Sequence, residues 1–194
     1  VFDQSLINLN AVEFEEMVTV EEVTKSLQAS EIVLRIAEII ERYVAELGEE
    51  GTLIEMQLEE LLGNLREEQK LLVKDYYFSS EDKSVEKILE KLDNCSEDEL
   101  IEPVNIARLL GYGTTPQALE KSLSSRGYRL LNKIPRLPMS VMENVVQAFA
   151  NLPNIMKASL EKLDSVEGIG DVRAKTIKRG LNRLRQQAQI ERQL

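Results

Sequence analysis

The residues best suited to binding another molecule lie near the end of the chain, in residues 165–180. Gly168 and Gly170 stand one residue apart there and precede a helical pattern that is rich in lysine and arginine. Glycine permits φ > 0 and allows a close approach to the backbone. The N–H groups that open a helix have no partner within it and attract anions such as phosphate. This pattern predicts a phosphate-binding connection between two helices, although Gly-Ile-Gly alone is also typical of a plain connector.

The predicted phosphate contacts combine backbone amides with cationic side chains. Positive charges within two turns of the helix start can add charge-assisted hydrogen bonds to the dipole of that helix. Contacts of this kind position a protein on a nucleic-acid backbone and read no sequence. The candidate residues are Gly168, Ile169, Gly170, Val172, Arg173, Lys175, Lys178 and Arg179.

An internal repeat supports the binding interpretation. Residues 131–149 align without gaps with residues 163–181, and each copy is predicted as a helix, a short connection with an apolar centre, and a second helix. In the first copy, Pro135 and Pro138 flank the connection and cannot donate hydrogen bonds. We therefore expect the first copy to be the weaker contact, with Arg136 as its best candidate.

The amino-acid composition of the chain excludes several classes of function. The chain has no histidine, which excludes Ser-His and Cys-His catalysis and histidine-ligated metal sites. Cys95 is the single cysteine, which suits a reducing cytoplasm and is expected to be unreactive. No apolar run approaches the roughly 20 residues that span a bilayer. The chain begins with Val1, so we expect a piece of a longer protein.

Charge divides the chain into two parts. Residues 1–100 contain 9 basic and 26 acidic residues, whereas residues 101–194 contain 15 basic and 8 acidic residues. The net charges are therefore −17 and +7, and only the second part is expected to attract DNA.

The acidic part is predicted to be helical throughout, and no strand pattern is convincing. Thr19 and Glu22 form a capping-box pattern, as do Ser96 and Glu99. A wide apolar stripe over residues 32–47 is followed by Gly48 as a stop, and a second helix is predicted to end at Gly63. The width of the stripe favours burial on more than one side, against this chain or a second copy of it.

Several stretches together resemble a known family. The end of the chain resembles the helix-hairpin-helix motif of DNA-binding proteins that read no sequence. More closely, the chain is similar to the C-terminal part of the bacterial DNA integrity scanning (DisA) family. The residues that carry this resemblance are "RYVAELGEEGTLIEMQLEELL", "LLGYG", "SRGYRLLNKIPRLP" and "EGIGDVRAKTIKRGLNRLR".

The resemblance implies a role in scanning DNA for damage ahead of repair. Intact members are diadenylate cyclases that condense two ATP into cyclic di-AMP with a divalent metal, Mg or Mn, in an N-terminal domain. They form octamers, and branched DNA on the tandem hairpins lowers their activity. The catalytic Asp-Gly-Ala and Arg-His-Arg motifs of the family are absent here. No catalytic residue is carried over, ATP and the metal are implied only for the cyclase domain, and this chain alone is not expected to be an enzyme.

The resulting prediction is an all-α chain in two domains. Residues 1–126 form an acidic helical linker, and residues 127–194 form a tandem helix-hairpin-helix domain. The expected partners are branched DNA and further copies of the chain, in a bacterial, cytoplasmic and nucleoid-associated protein with no membrane contact. The alternative is an oligomerisation or interaction scaffold in which the hairpins are purely structural. The role of Tyr128 stays open between stacking on a base and anchoring the first hairpin.

Overall fold

The computed structural model describes residues 9–10, 12–15, 18–78 and 84–191, and the predicted all-α class is confirmed. Within those ranges the only strands are β1 (Val18–Thr19) and β2 (Ser122–Leu123), which pair antiparallel. Short 3-10 turns cover Gly48–Gly51 and Pro116–Glu120. The α-helices are α1 (Val20–Glu46), α2 (Thr52–Tyr76), α3 (Val85–Asp93), α4 (Glu97–Ile101), α5 (Pro103–Leu110), α6 (Tyr128–Asn132), α7 (Met139–Phe149), α8 (Leu152–Lys157), α9 (Leu160–Asp164) and α10 (Asp171–Glu191).

The predicted ends of α1 are confirmed. The Thr19 hydroxyl accepts from the Glu22 amide, and the Glu22 carboxylate accepts from the Thr19 amide at 2.7 Å. At the other end Gly48 has φ +60°, the left-handed conformation that stops a helix cleanly. The second capping box, between Ser96 and Glu99, opens α4 in the same way.

The predicted stop at Gly63 is wrong, because α2 continues to Tyr76. A glycine inside a helix costs only about 1 kcal/mol relative to alanine. The continuation buries Leu65, Leu72, Val73 and Tyr76, and burial of one such side chain is worth about 1.5–3 kcal/mol. The apolar surface beyond the glycine therefore carries the helix through it.

The apolar stripe of α1 is largely exposed, because within this chain α2 covers only one side of it. Leu34, Ala37 and Val44 face α2, whereas the isoleucines between them point to solvent. The exposed set on α1 and the adjoining part of α2, here called the α1–α2 apolar face, consists of Ile32, Ile36, Ile39, Ile40, Tyr43, Leu47, Leu53, Ile54, Met56 and Leu61.

Two large apolar cores divide the rest of the described chain. One joins α1, the second half of α2 and helices α3 to α5 around Leu27, Tyr76 and Leu110. The other joins α6 to α10 around Leu131 and Ile177, and Leu71 of α2 contributes to it. The long helix α2 thus supplies residues to both cores and holds the basic part of the chain against the acidic part.

Candidate nucleic-acid interface

The basic part contains two similar two-helix units. The first unit consists of α6, a first connection (residues 133–138) and α7, and the second consists of α9, a second connection (residues 165–170) and α10. Equivalent hydrogen bonds occur 32 positions apart. Ile134 N–H donates to the Leu131 carbonyl at 2.9 Å, as Val166 N–H does to that of Leu163 at 3.1 Å.

The first turn of the second helix is also the same in both units. Met142 N–H donates to the Pro138 carbonyl at 3.1 Å, and Ala174 N–H donates to the Gly170 carbonyl at 2.9 Å. The aligned apolar positions pack into one shared core. These pairs are Leu131 with Leu163, Met142 with Ala174, Val145 with Ile177, and the half-buried Phe149 with Leu181.

The two connections share an unusual backbone conformation. Gly168 has φ +80°, and Arg136, which stands 32 positions earlier, has φ +61°. A left-handed conformation suits glycine but is strained for arginine. Each unit thus turns at the same place, once with the residue that favours the turn and once without it.

The units pack through their connections. A side chain on Gly168 would meet Val141 Cγ2 of α7 at 3.2 Å, and Asn144 Nδ2 donates to the Glu167 carbonyl at 3.0 Å. In the reverse direction, a side chain on Gly180 of α10 would meet Ile134 at 2.9 Å. Gly168 therefore serves packing as well as the turn, a role that the sequence did not reveal.

Gly170, by contrast, faces open space. A Cβ placed there would meet no atom within 4 Å. The first hydrogen bond of α10 is donated by Ala174, so the amides of the first turn before it have no carbonyl partner within the helix. Ile169 turns inward and is buried, which leaves its glycine neighbours at the surface. A row of backbone donors is therefore available at the start of a 21-residue helix.

The predicted cations divide into two sets. Arg173, Lys175 and Arg179 are exposed, whereas Lys178 donates to the Met156 carbonyl at 2.6 Å and lies toward α8. Burial lowers the pKa of Lys178. In the sequence, Lys178 follows the apolar Ile177 and stands four residues after Ala174, which on a helix places it beside an apolar face. Both of these neighbours are buried in the structure.

The exposed cations near the helix start have local partners. Arg173 Nη1 donates to the Gly168 carbonyl at 2.7 Å, and Lys175 pairs with Asp171 at 2.7 Å. Val172 is 76 % exposed. The structure thus links Arg173 and Lys175 to the start of α10 through these contacts, leaves Arg179 exposed about two turns further along the helix, and places Lys178 toward α8.

Arg136 lies across a cleft from the start of α10. The cleft has a volume of about 470 Å³ and is lined by the first connection and by α10, including Arg136, Leu137, Val172, Arg173 and Thr176. The structure therefore places the strained arginine of the first unit beside the exposed helix start of the second unit.

A buried polar cluster fixes the first unit on α2. Asp75 accepts from the amides of Gly127, Tyr128 and Arg129 at 2.8, 2.7 and 3.0 Å and so caps α6 from a distant helix. Arg129 is fully buried and pairs with Glu13 at 2.6 Å. Burial, with a contribution from Glu13, raises the pKa of Asp75 to about 7. These residues were not predicted, because their partners are far apart in sequence.

Tyr128 belongs to this anchoring region. Its ring packs in the core of the basic part, and Lys74 Nζ lies 4.4 Å from its centre. The structure therefore favours anchoring over base stacking for Tyr128.

The described residues contain neither a candidate metal site nor a candidate membrane span. Among them, no three histidine, cysteine, aspartate or glutamate side chains are grouped so that they could hold a metal ion. Nor is any helix in the described ranges both long enough and apolar enough to span a membrane.

Comparison with known proteins identifies the family. The model of the "DisA bacterial checkpoint controller linker region" matches residues 1–119. This chain belongs to the DisA family. It is 46 % identical over 194 residues to the DNA integrity scanning protein DisA of Clostridioides difficile, covering all of this chain and 54 % of that protein. It is 51 % identical to DisA of Carboxydothermus hydrogenoformans, covering 96 % of this chain and 53 % of the relative.

The DisA relatives extend beyond this chain. DisA of Acetivibrio thermocellus is 47 % identical over 184 residues, which are 95 % of this chain and 51 % of the relative. The chain therefore spans about half the length of the curated DisA proteins it matches. The linker match ends before α6, whereas these relatives also align with the two units that carry the candidate interface.

Proposed function

We propose that this chain binds DNA without reading its sequence, through the phosphate backbone. The observation that carries this proposal is the second connection, where Gly170 faces open space and the first turn of α10 offers amides without partners. A helix start of this kind suits a phosphate group. Arg173, Lys175 and Arg179 add positive charge to this part of α10. Arg173 and Lys175 need only a side-chain movement to replace their present partners with phosphate.

The first connection contributes differently in this proposal. Pro135 and Pro138 offer no donors, so the unit relies on the exposed guanidinium of Arg136. In this arrangement the two units form a tandem helix-hairpin-helix domain. The two separate cores support a domain boundary near residue 126, with α2 as the element that joins the parts.

We further propose that the chain is the DNA-sensing and linker part of a longer DisA protein. The names of its bacterial relatives, DNA integrity scanning proteins, support this role. A nucleoid-associated location is part of the same proposal. Synthesis of cyclic di-AMP from two ATP with Mg or Mn, and its reduction by bound branched DNA, are proposed for the whole protein and for residues outside this chain.

A second candidate function is self-assembly, and one specific observation favours it. The α1–α2 apolar face has ten large apolar side chains that are between 41 % and 67 % exposed. Apolar patches of this extent mark interaction sites. Assembly through the acidic part is compatible with DNA binding at the other end, and the two functions are tested separately.

The salt dependence of DNA binding tests the first proposal. Fluorescence anisotropy titrations with a four-way junction and a linear duplex are carried out at about 50 and 200 mM salt. If about three to five phosphates are neutralised, affinity should fall by about 40- to 500-fold, because the bound cations release counterions from DNA. Unrelated sequences of one shape should bind alike. An affinity that does not change with salt contradicts a phosphate interface.

A further inference from the structure

The cleft between the first connection and α10 has a counterpart in the same molecule, the contact between the second connection and α7. At the offset of 32 residues, Gly168 replaces Arg136, Val141 replaces Arg173, and Asn144 replaces Thr176. At the counterpart, two contacts join the second connection to α7, and a groove of about 460 Å³ lies beside them. Gly168 sits against Val141, and Asn144 donates across the gap to the carbonyl of the second connection.

Neither contact exists on the other side. The Thr176 hydroxyl donates at 2.8 Å to the Val172 carbonyl of its own helix, and Arg173, at the edge of the cleft, donates to the Gly168 carbonyl. The space left open has a volume of about 470 Å³, within the range of about 300–1,000 Å³ that is usual for small-molecule sites. The two units therefore differ in the contacts between each connection and the helix that faces it, and only the cleft at the first connection includes an arginine of the turn.

The lining of this cleft combines apolar walls with a free cation. Ile134, Leu137 and Val172 contribute apolar surface. Arg136 stands at the edge, and among the described residues it has no hydrogen-bond or ion-pair partner. The backbone at Arg136 has a strained φ of +61°, a conformation that suits glycine. The turn at this position nevertheless carries a guanidinium group. Unstacked bases stack on guanidinium planes and are held in pockets between apolar side chains, and this cleft offers both kinds of group.

We propose that this cleft binds an unpaired nucleobase of bulged DNA. The proposal rests on the phosphate-binding function and deepens it. Backbone contacts at the second connection hold any DNA, and the cleft adds a contact that only a base outside the duplex stack can make. An anionic strand that carries the base complements Arg136 and Arg173 at the two sides of the cleft. Preference for DNA with an unpaired base then arises without reading sequence.

The test uses two DNA duplexes that differ in one nucleotide. One has a single bulged 2-aminopurine, and the other has the same 2-aminopurine paired with thymine. The parent chain should bind the bulged duplex about fivefold or more tightly, the size expected for one stacked base. Its 2-aminopurine fluorescence should rise on binding, because the base leaves the stack of its neighbours.

The variant Thr176→Phe fills the cleft from an exposed helical position. It should remove the preference for the bulge and the fluorescence change, while affinity for the paired duplex stays within about twofold of the parent. The matched control, Gln147→Phe, places the same side chain in the groove beside the second connection and should keep the preference.

The outcomes separate the two proposals. Equal binding of both duplexes by the parent, or an unchanged bulge preference in Thr176→Phe, overturns the base site and leaves the phosphate interface standing. Binding of neither duplex by the parent overturns both. Circular dichroism melting of each variant shows whether the chain is still folded, so a lost preference is not confused with unfolding.

Discussion

At the scale of single residues, Arg136 and Gly168 show the same backbone turn made with opposite side chains. A left-handed conformation costs a non-glycine residue about 1–2 kcal/mol, and a glycine avoids this cost. Glycine also loses more conformational entropy on folding, which lowers the free energy of unfolding by about 0.5–1 kcal/mol. Arg136→Gly should therefore raise the free energy of unfolding by about 0.5–1 kcal/mol, measured by urea denaturation.

The same substitution should weaken DNA binding, because the first unit loses its exposed cation. Stability and affinity then change in opposite directions, which is the pattern of a strained residue kept for function. Arg136→Lys, which keeps the charge and the strain, serves as the control. Tighter DNA binding by the glycine variant contradicts a contact through this side chain.

The internal repeat allowed the sequence to predict which residues occupy equivalent positions in the two units. The offset of 32 residues aligned Arg136 with Gly168 correctly, since both turn in the same way. It did not reveal the positive φ of Arg136, because the tertiary packing of the two units overrides the local preference of arginine. The sequence places Lys178 in the contact set from its charge and its position within two turns of the helix start, and in the structure that side chain donates to the Met156 carbonyl.

At the scale of elements, α6 depends on a cap supplied by another helix. Gly127 opens α6 without a side-chain cap of its own, and Asp75 of α2 accepts its first amides instead. Asp75→Asn replaces one acceptor oxygen with an NH₂ group that faces the Arg129 amide. An unsatisfied buried donor costs about 1–3 kcal/mol, and the free energy of unfolding should fall by that amount in urea titrations. An unchanged stability contradicts this capping role.

The same carboxyl group predicts a pH dependence. The pKa of Asp75 is raised from 3.8 to about 7 in the folded chain, chiefly by burial. The folded state therefore keeps a proton that the unfolded state releases, and stability should decline as pH rises from about 4 to about 7. The difference in unfolding free energy between the parent and Asp75→Asn isolates this contribution, and it should shift in favour of the variant as pH rises. A difference that is constant with pH contradicts the raised pKa.

Helix starts were easier to predict than helix ends and long-range anchors. The capping boxes at Thr19 and Ser96 involve residues three positions apart, so the sequence contains the whole signal. The helix does not end at Gly63, because burial of apolar side chains further along α2 outweighs the helix cost of one glycine. Asp75 and Arg129 are 54 positions apart and meet only through the packing of α2 on α6.

At the scale of the whole molecule, the α1–α2 apolar face contains ten of the large apolar side chains that the described residues expose. Self-association should therefore depend on protein concentration in sedimentation velocity experiments. Ile36→Lys with Ile40→Lys places two charges in that face, at positions that are 50 % and 41 % exposed. The double variant should shift to monomer with the fold intact, because these residues contribute little to the core of one chain. A parent chain that stays monomeric at all concentrations contradicts the assembly proposal.

The face itself was visible in the sequence, but its exposure was not. The stripe over residues 32–47 predicted an apolar surface wide enough for more than one partner. Only the fold shows that α2 covers the side with Leu34, Ala37 and Val44 and leaves the isoleucines free. Which side of a wide stripe is covered depends on the neighbouring helix, and α2 was predicted too short.

The phosphate interface is tested most directly at Gly170. A side chain there meets no protein atom, so Gly170→Val blocks the approach of DNA at small cost to the fold, whereas Gly168→Val would strain a left-handed residue and press on Val141. The control is Gly63→Val, at a glycine that also faces open space and lies in the acidic part.

The measurement is the dissociation constant for a four-way junction, by fluorescence anisotropy at about 100 mM salt. Gly170→Val should raise it by about tenfold or more through lost amide contacts to phosphate, while Gly63→Val matches the parent. Equal affinity of Gly170→Val and the parent, with both melting at similar temperatures, would contradict a DNA interface at the second connection.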